Sequence, residues 1–114
     1  MSHLSILPTV LRDVDCLAAT LGALDLAWRR GGTLSGFGGE QREVVLQLEL
    51  RDGQCLGWTR QRDGSLALVG DLQRLSRSAS LQRLLGRITR AYAARLALQE
   101  ARQLLPTASI ELRA

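Results

Sequence analysis

The pattern of apolar and polar residues between Gln41 and Asp71 predicts three β-strands joined by two tight turns. Asp52-Gly53 and Asp63-Gly64 mark the turns, because Asp-Gly suits the two central positions of a type I′ hairpin, both of which need positive φ. The predicted strands cover residues 44–51, 55–61 and 66–69 and form an antiparallel meander. In the first strand every second residue is apolar, the period expected when one face is dry: Val44, Leu46, Leu48 and Leu50.

Two amphipathic helices flank the predicted meander. The first is capped by Asp13 and turns one apolar face inward over its three turns. The second is capped by Ser78 or Ser80, runs over residues 79–105 and ends at Pro106. Its apolar face repeats at about 100° per residue and comprises Leu81, Leu84, Leu85, Ile88, Tyr92 and Leu96.

Shorter segments complete the predicted order of elements. Alternating residues predict strands over 2–11, 26–30 and 108–112, while residues 71–80 form a polar connection. The glycine-rich stretch 31–40 predicts a connecting loop, because it lacks the Lys-Ser/Thr of a phosphate-binding loop and precedes a strand.

These elements predict an α+β fold for a single domain covering residues 1–114. An antiparallel meander sheet is expected to carry two helices on one face. This arrangement is broadly similar to the ferredoxin-like fold. The other face is expected to be partly wet, in agreement with Gln47, Glu49 and Arg51 on the second side of the first meander strand.

Composition indicates a soluble protein with an aliphatic core and no required cofactor. Hydrophobic residues make up 46% of the chain and aromatic residues 4%. No segment approaches the roughly 18 apolar residues of a membrane span, and residues 1–11 do not resemble a signal peptide. Cys16 and Cys55 lack partners at metal-binding spacing, so two reduced thiols are expected. His3 and Asp71 have no defined catalytic partner, and catalysis is the least favoured function.

The net charge of +4 suggests nucleic acid as a partner, but the composition weakens that inference. All fifteen basic residues are arginine, and leucine and alanine are abundant, as in proteins from GC-rich genomes. RNA binding through an arginine helix face is therefore the alternative hypothesis, and a solvated helix face explains the same pattern more simply. The arginines concerned are Arg74, Arg77, Arg83, Arg87 and Arg90.

Several motifs in a fixed order resemble one known family over almost the whole chain. They are the opening residues 1–5, the loop 34–39, Gly57-Trp58 followed by Asp63-Gly64, the strand end 68–71 and the helix segment 88–93. Together they resemble the hypothetical chloroplast reading frame thirty-five family, small proteins of cyanobacteria, algal plastids and some other bacteria that are classed as a domain of unknown function. The chain differs at Leu72-Gln73 and Ala94, where relatives tend to carry aromatic residues.

The resemblance implies a photosynthetic, cyanobacterial or plastid-type setting and a cytoplasmic or stroma-equivalent location. Family genes in some bacteria lie near an AAA-type ATPase, which implies an accessory role to a remodelling system. The resemblance supplies no catalytic residue.

The favoured hypothesis is therefore a non-catalytic accessory or adaptor protein that binds another protein or forms a homodimer. The second half of the long helix carries polar residues on its apolar side, which suggests a contact there. Arg95→Ala and Leu96→Ala are expected to weaken association more than Arg87→Ala. For Trp58, core packing is the simpler interpretation. The predicted partner-binding residues are Trp58, Arg60, Tyr92, Arg95, Leu96 and Gln99.

Overall fold

The computed structural model describes residues 4–104, except for the side chain of Phe37. His3 and the strand predicted over 108–112 lie outside the described residues. The elements in chain order are β1 (Ser5–Pro8), α1 (Val14–Ala23), β2 (Ala27–Arg30), β3 (Thr33–Ser35), a short 3-10 turn (Phe37–Gly39), β4 (Gln41–Glu43), β5 (Leu46–Glu49), β6 (Cys55–Arg60), β7 (Leu66–Gly70), α2 (Leu72–Arg77) and α3 (Ala79–Leu104).

The main sheet has five antiparallel strands in the order β1-β7-β6-β5-β2. Its centre is the predicted meander β5-β6-β7. One face of the sheet packs against α1 and α3, and this side holds the larger core cluster, which includes Leu17, Leu21, Leu48, Trp58 and Ile88. The predicted α+β architecture, with an antiparallel sheet and helices on one face, is confirmed.

Both Asp-Gly turns occur where predicted, but their type differs from the prediction. Gly53 and Gly64 each have a φ of +88°, whereas the preceding aspartates do not have positive φ. The N–H of Gly53 donates to the carbonyl of Leu50 at 2.9 Å. Each hairpin is therefore a three-residue loop in which a turn is followed by a left-handed glycine. The Asp52 carboxylate accepts from the next-but-one backbone N–H, which stabilises this geometry.

The second face of the sheet is drier than predicted. Gln47 is only 4% exposed, because its amide donates to the carbonyl of Gly31 at 2.8 Å. The glycine-rich stretch is not an open loop: β3 and β4 pair into a hairpin that lies beside this face. Close approach is possible at Gly57, where an added Cβ would stand 2.6 Å from Cγ1 of Val44. Glu49 and Arg51 are exposed, as predicted.

Each helix begins at a side-chain cap. Asp13 accepts from the N–H of Cys16 at 2.9 Å at the start of α1, and Ser78 accepts from the N–H of Leu81 at 3.1 Å at the start of α3. The Asp13 cap was predicted, and Ser78 is one of the two residues, with Ser80, that were predicted to cap α3. The polar connection predicted after the meander instead contains α2, because Asp71 caps it by accepting from the N–H of Arg74 at 3.2 Å.

The long helix α3 is fixed against the start of α1 by Tyr92. The buried tyrosine hydroxyl accepts from the backbone N–H groups of Arg12 at 3.1 Å and Asp13 at 3.0 Å. Residues after Leu96 extend beyond this contact, and 101–104 are exposed. Within residues 4–104, no helix is both long and apolar enough to cross a membrane.

Candidate functional site

A concave surface lies between the β5–β6 turn and the first turns of α3. It is a groove of about 440 Å³. We call it the leucine–arginine groove, since its floor is leucine and three arginines stand on its rim. Its lining residues are Leu26, Leu48, Glu49, Leu50, Arg51, Asp52, Arg74, Ser78, Ser80, Leu81, Leu84 and Arg87.

The leucine floor is an opening in the helix-facing core. Leu48 is 1% exposed and Leu81 is 7% exposed, so both belong to the core itself. Leu26, Leu50 and Leu84 are half-buried against it. The floor combines Leu48 of β5, Leu26 and Leu50 beside the strands, and Leu81 and Leu84 of α3. Apolar side chains therefore meet solvent at the base of a concave surface, as in sites that receive apolar side chains of a partner.

The rim is set by three separate elements. Arg51 lies in the turn after β5, Arg74 lies on α2 and Arg87 lies on α3. Arg74 forms an ion pair with Asp52, which ties α2 to the β5–β6 turn across the groove. Both side chains are well exposed, so this pair contributes orientation more than stability.

Two of the rim arginines are available for binding. Arg51 and Arg87 are exposed and make no ion pair or hydrogen bond with the residues that the structure describes. Glu49 and Asp52 are the acidic groups of the groove, and Asp52 already faces Arg74. Three arginines against two carboxylates leave a positive rim around an apolar floor. Such a surface suits a ligand that combines apolar side chains with acidic ones.

The start of α3 also contributes polar groups to one wall of the groove. Ser78 and Ser80 both line it, and their hydroxyl oxygens lie 3.2 Å apart. The Ser78 hydroxyl is already used as the helix cap. These serines therefore shape the wall of the groove and leave the arginines as its charged recognition groups.

Two of the predicted partner-binding residues are core residues. Trp58 is 2% exposed and packs among the leucines beneath α1 and α3, as the core-packing interpretation of this residue expects. Tyr92 is 4% exposed, and its hydroxyl is occupied by the two backbone N–H groups at the start of α1. Neither side chain presents a surface to a partner in this fold.

The other four predicted partner-binding residues lie on two elements, β6 and α3. Arg60 is exposed at the end of β6, where it donates to the carbonyl of Gly64 at 3.5 Å. Arg95, Leu96 and Gln99 are half-buried on α3, and Leu96 packs against the core. None of these four residues lines the leucine–arginine groove, so the contact predicted at the end of α3 is separate from the groove.

The arginines of the alternative hypothesis divide between the groove and the open surface. Arg74 and Arg87 line the groove, whereas Arg77, Arg83 and Arg90 are exposed outside it. In the described part of the chain, no aromatic side chain lines the groove. Recognition of single-stranded RNA normally combines cations with such stacking side chains.

Two further points concern the titratable and metal-ligating side chains among residues 4–104. Asp71 is occupied as the cap of α2, and no group of three or more metal-ligating side chains occurs in the described part of the chain. Burial, reinforced by the Asp13 carboxylate, raises the pKa of the Cys16 thiol. Hydrogen bonds from the hydroxyl and N–H of Ser65 lower the pKa of the Asp63 carboxyl group. Both shifts follow from local structure.

Sequence reasoning missed the groove because its parts are far apart along the chain. Arg51 was placed only on the polar side of a strand, and Leu26 only at the start of a short one. The missing element was α2, whose signal was an aspartate cap followed by apolar residues three apart, Leu72 and Leu75. With α2 assigned, Arg74 would have been placed on a helix next to the meander.

Comparison with known proteins gives the chain a family but no activity. No curated protein and no solved structure matches it. One family model, described as "Protein of unknown function (DUF1257)", matches residues 20–105. The match includes every residue of the leucine–arginine groove and excludes β1. Since it covers roughly three quarters of the 114 residues, the chain belongs to this family of proteins of unknown function.

Proposed function

We propose that the protein is a non-catalytic accessory or adaptor protein that binds a partner protein in the leucine–arginine groove. The observation that carries the proposal is the pairing of an open leucine floor with two arginines, Arg51 and Arg87, that have no ion-pair or hydrogen-bond partner among the described residues. The groove lies wholly within the region that the family shares.

The chemistry of the groove defines the partner segment. Leu26, Leu50 and Leu84 are half-buried and would lose their remaining contact with water when apolar side chains of a partner enter. Acidic side chains of the same segment would meet Arg51 and Arg87 at the rim. An amphipathic segment with apolar anchors and flanking Asp or Glu residues fits both features.

The biological setting is part of the proposal. The motifs that resemble the hypothetical chloroplast reading frame thirty-five family support a cyanobacterial or plastid-type process in the cytoplasm or its stromal equivalent. An AAA-type ATPase system is the partner class implied by that resemblance. A second contact, at the end of α3 through Arg95, Leu96 and Gln99, stays a prediction in addition to the groove.

Affinity capture with matched charge-reversal variants tests the proposal. Tagged wild type, Arg87→Glu and Arg90→Glu are used to capture proteins from native lysate, with nuclease and at low and high salt. Arg90 is exposed on the same helix but lies outside the groove, so it controls for the charge change alone. We expect a stoichiometric protein that Arg90→Glu retains and Arg87→Glu loses by about tenfold or more.

Two results would count against groove-mediated protein binding. Equal loss in both variants would assign the interaction to overall charge. Recovery of RNA that disappears with nuclease and weakens steeply with salt would instead support the arginine-face alternative.

A further inference from the structure

One edge strand of the main sheet, β1, carries no charged side chain and exposes apolar ones. Among the described elements β1 pairs only with β7. The exposed fractions are 38% for Ile6 and 43% for Leu7 within the strand, and 83% for Val10 just after it. Residues 4–11 contain no charged side chain. The opposite edge strand β2, in contrast, carries Arg29 and Arg30. Uncharged apolar edges are usually covered by another strand, helix or loop.

The backbone of β1 can accept a further strand. Thr9 donates its N–H to the carbonyl of Leu66 at 3.2 Å, so the odd-numbered residues of β1 direct their backbone groups towards β7. The even-numbered residues direct theirs to the open side. On this open side Pro8 has no N–H, and the N–H of Leu4 donates to the carboxylate of Glu40 at 3.0 Å. The N–H of Ile6 and the outward carbonyl groups remain for pairing.

A shallow apolar depression lies directly beside this edge. It has a volume of about 430 Å³, and its apolar lining comes from β1, α2 and α3 through Leu7, Leu72, Leu75 and Leu85. A strand added next to β1 would place every second side chain on the helix side of the sheet, above this depression. The segment that fits must therefore alternate apolar and polar residues.

The chain contains such a segment after α3. Ala108, Ile110 and Leu112 alternate with polar residues, and Pro106 ends the helical pattern before them. We infer that residues 108–112 of a second copy of this chain pair with the open edge of β1, with their apolar side chains in the depression.

The geometry of α3 assigns the segment to a second copy. Leu85 lies beside the depression, and α3 continues for 19 residues to Leu104, which is about 28 Å along the helix. Six extended residues from Leu104 to Ile110 span only about 20 Å. The segment therefore cannot return to the depression of its own chain while α3 keeps its described length.

Exchange between two copies also accounts for the exposed end of α3. Leu98 is 53% exposed and Leu104 is 78% exposed on the part of the helix that extends beyond the contact with α1. In a reciprocal dimer each extended helix end delivers its segment to the partner. The interaction is isologous, so two equivalent contacts form and the assembly closes.

Molar-mass measurement on the full-length protein tests the inference. We expect wild type to be a dimer and both Leu7→Asp and Ile110→Asp to weaken dimerisation by roughly tenfold or more, since each places a carboxylate in the proposed apolar contact. Glu111→Gln changes the polar side of the segment and is the matched control. Far-UV circular dichroism verifies that each variant is folded.

A mixing experiment distinguishes strand exchange from other dimers. Leu7→Asp keeps an intact segment, and Ile110→Asp keeps an intact edge, so a mixture can form one correct contact per pair. We expect heterodimers in the mixture at concentrations where each variant alone is monomeric. A monomeric wild type, dimers that survive Ile110→Asp unchanged, or no heterodimer in the mixture would each overturn the inference.

Discussion

Tyr92→Phe removes a single oxygen atom from the contact that holds α3 against the start of α1. The ring is 4% exposed and remains in place in the variant, so apolar packing is retained. The hydroxyl accepts from the N–H groups of Arg12 at 3.1 Å and Asp13 at 3.0 Å. Its removal leaves two backbone donors without their partner at the point where the chain enters α1.

The size of the effect follows from these two donors. An unsatisfied buried donor costs about 1–3 kcal/mol. This site is only partly buried, so water can hydrogen-bond to the freed N–H groups in part. We therefore expect the free energy of unfolding to decrease by about 1–3 kcal/mol for the two donors together. For a domain of this size the free energy of unfolding falls by about 1–2 kcal/mol per molar urea, so the midpoint urea concentration should fall by roughly 1 M.

Urea unfolding at one protein concentration measures this change. Thr89→Val is the matched control, because it removes a hydroxyl from an exposed residue of the same helix whose only described bond is to the carbonyl of Leu85 at 2.9 Å. We expect the control to stay within about 0.5 kcal/mol of wild type. A Tyr92→Phe variant as stable as the control would refute the assigned role of the tyrosine hydroxyl.

Three further predictions concern the other contacts that shape the fold. Asp71→Ala should destabilise the protein by about 1 kcal/mol in urea unfolding through loss of the α2 cap, while Asp71→Asn retains an acceptor and most of that stability. Gly57→Val should cost roughly 1–3 kcal/mol or more, because its Cβ would stand 2.6 Å from Val44; a neutral result would contradict the close approach. Asp63 has a pKa below its usual 3.8 in the folded protein, so ionised Asp63 stabilises the fold above that pH and this contribution disappears as pH falls through the lowered value. Asp63→Asn should therefore reduce the loss of stability between about pH 6 and about pH 3, and an unchanged pH dependence would argue against the hydrogen bonds from Ser65 as its cause.

The parts of the fold that follow from local periodicity were predictable. Alternation predicted the meander strands, although the first is shorter than predicted and Val44 packs in the second core cluster and not with Leu46 and Leu48. The recurrence of leucines at helical spacing placed Ile88 on the buried face of α3. Local caps were equally readable, since Asp13 and Ser78 stand directly before apolar helical patterns. These features depend on neighbours within a few residues.

The features that sequence reasoning missed depend on residues far apart in the chain. The burial of Gln47 results from a bond to the carbonyl of Gly31, 16 positions earlier, and from the hairpin beside the second sheet face. The turn type likewise depended on a left-handed conformation confined to Gly53, with no positive φ at the aspartate before it. The polar side chain of Gln47 therefore predicted an exposed position, whereas its tertiary contacts bury it.

The candidate site shows the same limit. Arg74 and Arg87 were recognised as basic, but their separation from Arg77 and Arg90 appears only when α2 and α3 are placed beside the β5–β6 turn. No periodicity links Arg51 to either helix. A binding function stays a prediction from the sequence, whereas the surface proposed for it follows from the packing of three elements.

The most direct test of the central proposal is amide chemical-shift mapping of the isotope-labelled protein with its captured partner. We expect the largest shifts on residues 48–52 in and after β5, on Arg74 and on residues 78–87 at the start of α3. Small shifts there, together with large ones at Leu96 and Gln99 or along β1, would contradict the assignment of partner binding to the leucine–arginine groove.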